Sequence, residues 1–148
     1  MKKQAIKAFA LLSLFLSISA IHVYAQDSPL IRKVEIPFDF SVRGKPLPTG
    51  TYSVNRVNPD KSLLQLRSAD GQEVINVVTN SVRATVLPKT GKLTFRRYGE
   101  TYFLFQIWEA DDIQGRQLLK SRTERSVERD LTKRGEAPAI VDLAITSP

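Results

Sequence analysis

Leu93-Thr94-Phe95-Arg96-Arg97-Tyr98-Gly99-Glu100-Thr101-Tyr102-Phe103-Leu104-Phe105-Gln106-Ile107-Trp108 is the most aromatic stretch of the chain, and its pattern reads as a β-hairpin. Gly99 has no Cβ to oppose a positive φ, so Tyr98-Gly99-Glu100-Thr101 can close as a type II′ turn. In the second strand, strict alternation puts Phe103, Phe105 and Ile107 on one face. Tyr102, Leu104 and Trp108 fall on the other, with Gln106 the only polar residue beside them. Apolar bulk on both faces predicts a central strand, with the remaining elements arranged around it.

Upstream, Val34, Ile36, Phe38, Phe40 and Val42 alternate with Glu35, Pro37, Asp39 and Ser41, which predicts one half-buried strand over 34–42. Pro37 donates no ladder hydrogen bond, so this strand is expected at a sheet edge or bulged there. Leu47-Pro48-Thr49-Gly50 reads as a type I turn reversing the chain into a strand from Thr51 to Val57. Asn58-Pro59-Asp60-Lys61 is the next turn, followed by a strand from Ser62 to Arg67. Asp70-Gly71 suits a two-residue hairpin loop into a strand from Glu73 to Thr79. Asn80-Ser81 is expected to interrupt that strand before a shorter one, Val82 to Leu87. On this reading all seven glycines lie outside strands. Turn signals spaced by about ten residues predict a mainly β fold, an antiparallel β-sandwich or small barrel.

Downstream, Glu109-Ala110-Asp111-Asp112-Ile113-Gln114-Gly115 reads as an acidic loop. Ser121-Arg122-Thr123-Glu124 has capping-box spacing and Gly135 offers a stop, so one helix is predicted over about 121–134. At 100° per residue Arg122, Arg125, Arg129 and Lys133 form a basic stripe, and Val127 and Leu131 fall on the opposite side, where they can lean on the sheet. Ile140-Val141-Asp142-Leu143-Ala144-Ile145 is rich in β formers and is expected to add a final strand over 140–145.

At the N-terminus Lys2, Lys3 and Lys7 precede the apolar run Ala8 to Ile21, and small residues occupy the right places in Val23-Tyr24-Ala25. This predicts a signal peptide, residues 1–25, cleaved after Ala25. The run is too short to span comfortably as a membrane helix, and no Cys follows it to accept a lipid. Cleavage leaves 148 − 25 = 123 residues, one domain over 26–148, with 19 Lys+Arg against 15 Asp+Glu, or +4 in place of the full chain's +7. A domain of that size buries about two-thirds of its unfolded surface. The chain has no Cys, and its one His, His22, leaves with the signal. The remainder therefore cannot assemble the usual zinc, copper or iron site, nor a Ser-His-Asp or Cys-His catalytic arrangement.

Few other residues suggest chemistry. Glu109, Asp111 and Asp112 could offer oxygen ligands to Ca²⁺, but the spacing lacks the Asp-x-Asp-x-Asp-Gly pattern, and a solvated loop explains them. Lys120-Ser121 could suggest a Ser-Lys pair, yet capping already accounts for Ser121. Tyr98, Tyr102 and Trp108 could form a platform for a sugar, although aromatics in a doubly apolar strand are more often core. Asp39 reads as an exposed strand residue. No catalytic, cofactor or metal residues are therefore assigned. The segment 116–134 holds seven Lys+Arg and three Asp+Glu, so its stripe of Arg122, Arg125, Arg129 and Lys133 is the one surface with a distinct consequence. It could rest on an anionic envelope surface, an acidic polysaccharide or an acidic protein, or it is simply the solvated face of a surface helix that keeps the domain soluble.

Ile36-Pro37-Phe38-Asp39-Phe40, Leu47-Pro48-Thr49-Gly50-Thr51-Tyr52, Arg97-Tyr98-Gly99 with Tyr102-Phe103-Leu104 and Ile107-Trp108, then Gly115-Arg116 and Lys120-Ser121, together resemble a family of small exported bacterial β-rich proteins of unknown function. The resemblance implies a β-rich fold and export, and brings no activity or catalytic residues. This sequence departs from the family pattern at Leu119, where related sequences tend to have Pro before the helix. The combined expectation is an exported, periplasmic or extracellular, non-enzymatic binding or structural protein without nucleic-acid partners. The rival expectation is a small carboxylate-dependent hydrolase acting on envelope or extracellular polysaccharide.

Overall fold

The computed structural model describes residues 29–145, so the predicted signal peptide and its cleavage site lie outside the described residues. In chain order the elements are β1 (Pro29–Ile36), β2 (Phe40–Val42), β3 (Lys45–Leu47), β4 (Gly50–Arg56), β5 (Leu63–Ser68), β6 (Val74–Arg83), β7 (Lys92–Tyr98), β8 (Thr101–Trp108), β9 (Gln114–Leu118), α1 (Arg122–Lys133) and β10 (Ala139–Ala144). The strands form one sheet in the order β1-β4-β5-β6-β9-β8-β2-β3, with β7 on β8 and β10 on β7. Among the described residues β1 pairs only with β4, β3 only with β2 and β10 only with β7, so the sheet does not close into a barrel. Among the described residues it folds over itself into a mainly β, sandwich-like arrangement with one helix. Ile36, Val54 and Leu64 from one half meet Leu93, Phe95 and Ile107 from the other in a single core. Each such buried side chain contributes about 1.5–3 kcal/mol, and without disulfides the fold rests on this burial.

The hairpin of Leu93 to Trp108 forms as β7 and β8, with Tyr98 opposite Thr101. Gly99 has φ 61°, and Glu100 has no positive φ, as a II′ turn requires and a I′ turn does not. A Cβ at Gly99 would meet nothing within 4 Å, so the backbone angle alone selects glycine. Gly99→Val is expected to cost about 1–3 kcal/mol through this strained φ. Urea melts measure it, and an unchanged midpoint would show that the turn tolerates a β-branched residue.

The predicted alternation of β8 is corrected by a bulge. Thr94 pairs with Gln106 but Phe95 pairs with Leu104, leaving Phe105 extra. The added residue reverses the phase: Ile107 joins Tyr102 and Leu104 at the main core, while Phe103 packs on the other face with Tyr98 and Leu131.

The predicted strand over 34–42 is two strands. β1 ends at Ile36, and Pro37 to Asp39 turn the chain across to β2, which pairs in parallel with β8 at Phe40 and Tyr102. The edge position expected from Pro37 holds for β1, and the face alternation survives the crossing, with Val34, Ile36, Phe40 and Val42 all buried. Arg43 and Gly44, with φ 53° and 89°, make a tight turn into β3 that the sequence reading missed. Pro48-Thr49 is correspondingly not a hairpin turn but a second crossing, from β3 to β4. The two crossings are clipped together: Thr49 donates its N–H to Asp39 Oδ1 at 2.7 Å and its hydroxyl to the Ile36 carbonyl at 2.8 Å, and the Tyr52 hydroxyl donates to the Pro48 carbonyl at 2.7 Å. Asp39 is thus exposed as expected, but it braces a corner and is not in a strand.

β6 also departs from expectation. It runs unbroken through Asn80-Ser81, pairing with β5 over Val74–Val78 and with β9 over Thr79–Arg83. One long strand thereby joins the two halves, residues 84–87 are not a strand, and the Asp70-Gly71 connection is the longer loop 69–73. The last two residues of the supposed acidic loop open β9, so two glycines, Gly50 and Gly115, do sit within strands. β10 forms where a final strand was expected.

Candidate functional site

Helix α1 begins and ends as its sequence dictates. Ser121 is the N-cap and its Oγ accepts from the Glu124 N–H at 3.0 Å. At the other end Gly135, at φ 75°, donates to the Thr132 carbonyl, and the Glu136 N–H donates to the Leu131 carbonyl, which satisfies the last carbonyls in a Schellman arrangement. The capping box is only half made, because the Glu124 carboxylate is recruited into the domain. Glu124 is buried and accepts from Arg96 Nη1 at 3.0 Å and from the Tyr98 hydroxyl at 3.3 Å. Arg96 in turn lies 3.4 Å over the Phe105 ring. Burial first, and then the Glu124 carboxylate, push the Tyr98 hydroxyl well above its ordinary pKa, so it remains a donor. Leu131 and Val127 pack beside this network on Tyr98 and Phe103, as the helix pattern predicted.

The predicted basic stripe consequently faces outward. Arg122, Arg125, Arg129 and Lys133 are all exposed. Among the described residues only Lys133 of the four has an ion pair, with Asp130 at 3.6 Å between two exposed side chains, a contact worth little. Two of the other three cations of the segment are engaged in the fold, and Arg134 is exposed. Lys120 pairs with Glu128. Arg116 belongs to β9 and is buried, with Nε on Thr79 Oγ1 at 3.0 Å and Nη2 on the Thr79 carbonyl at 3.3 Å. It ties β9 to β6 and is no part of a solvated basic surface.

Of the carboxylates singled out in the sequence, Glu109 and Asp112 are occupied by cations, while Asp111 is exposed in the turn at φ 58°. Glu109 accepts from Arg56 at 2.8 Å and from Lys61, and Asp112 accepts from Lys61 at 3.1 Å. A bond from the Gln114 N–H, then Lys61, hold Asp112 below the usual carboxylate range. The described residues contain no grouping of three His, Cys, Asp or Glu side chains suited to a metal ion. The three aromatics do not form a platform. Tyr98 lies under α1, Tyr102 stacks on Phe38 with centroids 3.9 Å apart, and Trp108 is buried with its indole against Gly115.

A second surface was not legible in the sequence. A groove of about 630 Å³ crosses the outer face of the sheet between β10 and the connection 84–90. Val86 and Leu87 on one side and Ile140 on the other are 78%, 48% and 58% exposed. On its floor Gln106 is fixed by donating to Gln117 Oε1 at 2.9 Å and accepting from Trp108 Nε1 at 3.3 Å. Asp142 is bound to Lys92 and to the Thr94 hydroxyl, each at 2.6 Å. Burial opposes its charge, but these two partners outweigh it and hold its pKa below the ordinary value. Arg83 and Lys89 also line the groove and have no ion pair among the described residues. The sequence signal was present as Val86-Leu87 beside turn residues, but a strand assignment hid their exposure.

The described residues therefore form a mainly β, sandwich-like fold with a docked helix, a solvent-facing basic stripe and a broad groove further along β7 and β8. No helix of the described residues is long and apolar enough to cross a membrane. No protein-family model, no curated protein and no solved structure matches the chain.

Proposed function

We propose that this chain is an exported, non-enzymatic envelope or extracellular domain that attaches to an anionic surface through Arg122, Arg125, Arg129 and Lys133. The observation that carries this reading is the division of α1. Glu124, Val127 and Leu131 hold it to the sheet, while the four cations project to solvent, so their charge is not consumed by the fold. Such a stripe attracts phospholipid headgroups or acidic polysaccharide through several weak contacts, each screened by salt. The hydrolase alternative is disfavoured, because Glu109 and Asp112 are committed to Arg56 and Lys61 and Asp112 is held in its charged form. A general acid needs a raised pKa.

The leader reading is tested by intact mass. Protein recovered from the exporting cell should begin at Gln26, and retention of residues 1–25 would refute cleavage. For the surface, the domain should sediment with vesicles containing anionic phospholipid at low salt and progressively less at physiological salt. Replacing Arg122, Arg125, Arg129 and Lys133 with Gln should abolish sedimentation without altering the circular dichroism spectrum. Replacing the exposed Lys33, Arg43, Arg67 and Arg97 with Gln, which removes the same charge, should spare most of it. Equal loss in both variants would reduce the effect to net charge, and no sedimentation of the unaltered domain at low salt would sink the proposal.

A further inference from the structure

We propose that the groove between β10 and residues 84–90 binds an extended peptide segment of alternating apolar and acidic side chains. The ligand class follows from three features that coincide there. Val86, Leu87 and Ile140 present apolar side chains on both lips, exposed to 78%, 48% and 58%. Leaving such side chains in water forgoes burial worth about 25 cal/mol per Å², so the lips favour a ligand with apolar groups of its own. Arg83 and Lys89 add two cations with no ion pair among the described residues, whereas Asp142 is already neutralised by Lys92. The groove is therefore electrostatically matched to carboxylates.

The floor decides between a peptide and a lipid chain. Gln106 is locked by its bonds to Gln117 and Trp108, and an amide has two donors and two acceptor sites, so it keeps one N–H and one lone pair for a ligand. Thr94 and the Lys92–Asp142 pair add further polar atoms. Covering these with hydrocarbon would leave polar groups unsatisfied, at about 1–3 kcal/mol each. A peptide backbone carries a donor and an acceptor on every residue and can answer them, and its alternate side chains point to opposite sides, toward the lips and the cations. A second copy of the chain suits the groove less, because the chain carries 22 Lys+Arg against 15 Asp+Glu.

Trp108 is the single tryptophan and lines the groove, so its fluorescence reports on this site and not on the helix stripe. Titrating the domain with a decapeptide alternating glutamate and valine should give a saturable change in Trp108 emission whose affinity weakens with salt. Arg83→Gln with Lys89→Gln should weaken binding at least tenfold, and so should Val86→Ser with Ile140→Ser. All of these substituted side chains are lining or exposed, so near-native melts are expected and would be checked. The variant lacking the four helix cations should bind the decapeptide as well as the unaltered domain, which separates this proposal from surface attachment. The inference is overturned by an absence of saturable change at low salt, by equal affinity for a glutamate–serine decapeptide, or by unchanged affinity in both groove variants. It is equally overturned if dodecyl phosphate saturates the site more tightly than the peptide. Concentration-dependent dimerisation that Ile140→Ser abolishes would assign the groove to a second copy instead.

Discussion

Gly115→Ala is expected to destabilise the domain by about 1–3 kcal/mol, and Gly115→Val by more, because there is no space for a side chain at this point of β9. A Cβ built on Gly115 would lie 2.5, 2.6 and 2.7 Å from three carbons of the Trp108 indole. The clash cannot be relieved by a flexible side chain tip. Trp108 is only 6% exposed, its ring is rigid, and its Nε1 is engaged with Gln106. On the other side of Gly115, β9 is hydrogen-bonded to β6, with Gly115 opposite Val82. Either the indole must leave its rotamer or β9 must separate from β8, and both lose core packing. The urea midpoint of the purified domain measures the cost, and Trp108 emission should shift at the same time as the ring moves toward water. Combining Gly115→Ala with Trp108→Leu should cost less than the sum of the two single changes, since the smaller side chain frees the space. A midpoint unchanged by Gly115→Ala would mean that the indole yields without penalty.

This contact illustrates why part of the fold was legible in the sequence and part was not. The hairpin of β7 and β8, the capped helix and the strand character of residues 139–144 are set by local chemistry: Gly99 at a positive φ, Ser121 at an N-cap, Gly135 at a helix end, and runs of β formers. Each feature acts within a few residues and can be read in order. The crossings at Pro37 and Pro48 are different, because the bonds that fix them run from Asp39 to Thr49 and from Thr49 to Ile36, across segments whose proximity the sequence does not reveal. β9 was missed for a related reason. Gly115 looked like a loop residue, whereas an indole from the neighbouring strand requires it there. The bulge at Phe105 is likewise a property of pairing, and it redistributed Phe103 and Ile107 between two cores. Among the surface features, helical periodicity correctly located the stripe of Arg122, Arg125, Arg129 and Lys133, because the spacing of charges on one helix is local information. The groove is assembled from β6, β7, β8, β10 and a connection, and only the tertiary arrangement brings Arg83 to the same surface as Ile140.

The attachment of α1 gives the second large expected effect. Glu124→Ala should destabilise the domain by about 3–5 kcal/mol, the range for breaking a buried ion pair by removing one partner. The Arg96 and Glu124 side chains are 14% and 5% exposed and meet at 3.0 Å, so solvent screens them little. Removing the carboxylate leaves Arg96 with the face of Phe105 but no anion, and leaves the Tyr98 hydroxyl without its acceptor. Arg96→Met combined with Glu124→Leu should cost clearly less than the sum of the single changes, because no charge is then stranded; strict additivity in that cycle would refute the coupling. Alkaline titration adds a readout that simple loss of packing would not give. Tyr98 has its folded pKa raised above the ordinary 10.0, by burial first and by Glu124 second. A group raised in the folded state contributes stability that is complete below its unfolded pKa and is lost as pH rises beyond it. The unaltered domain should therefore lose stability as pH climbs above 10. Glu124→Gln keeps an acceptor of similar shape but removes the charge, so its stability should fall less steeply over that interval, and Tyr98→Phe should remove this contribution altogether. Equal alkaline slopes in all three proteins would mean that Tyr98 does not sense Glu124.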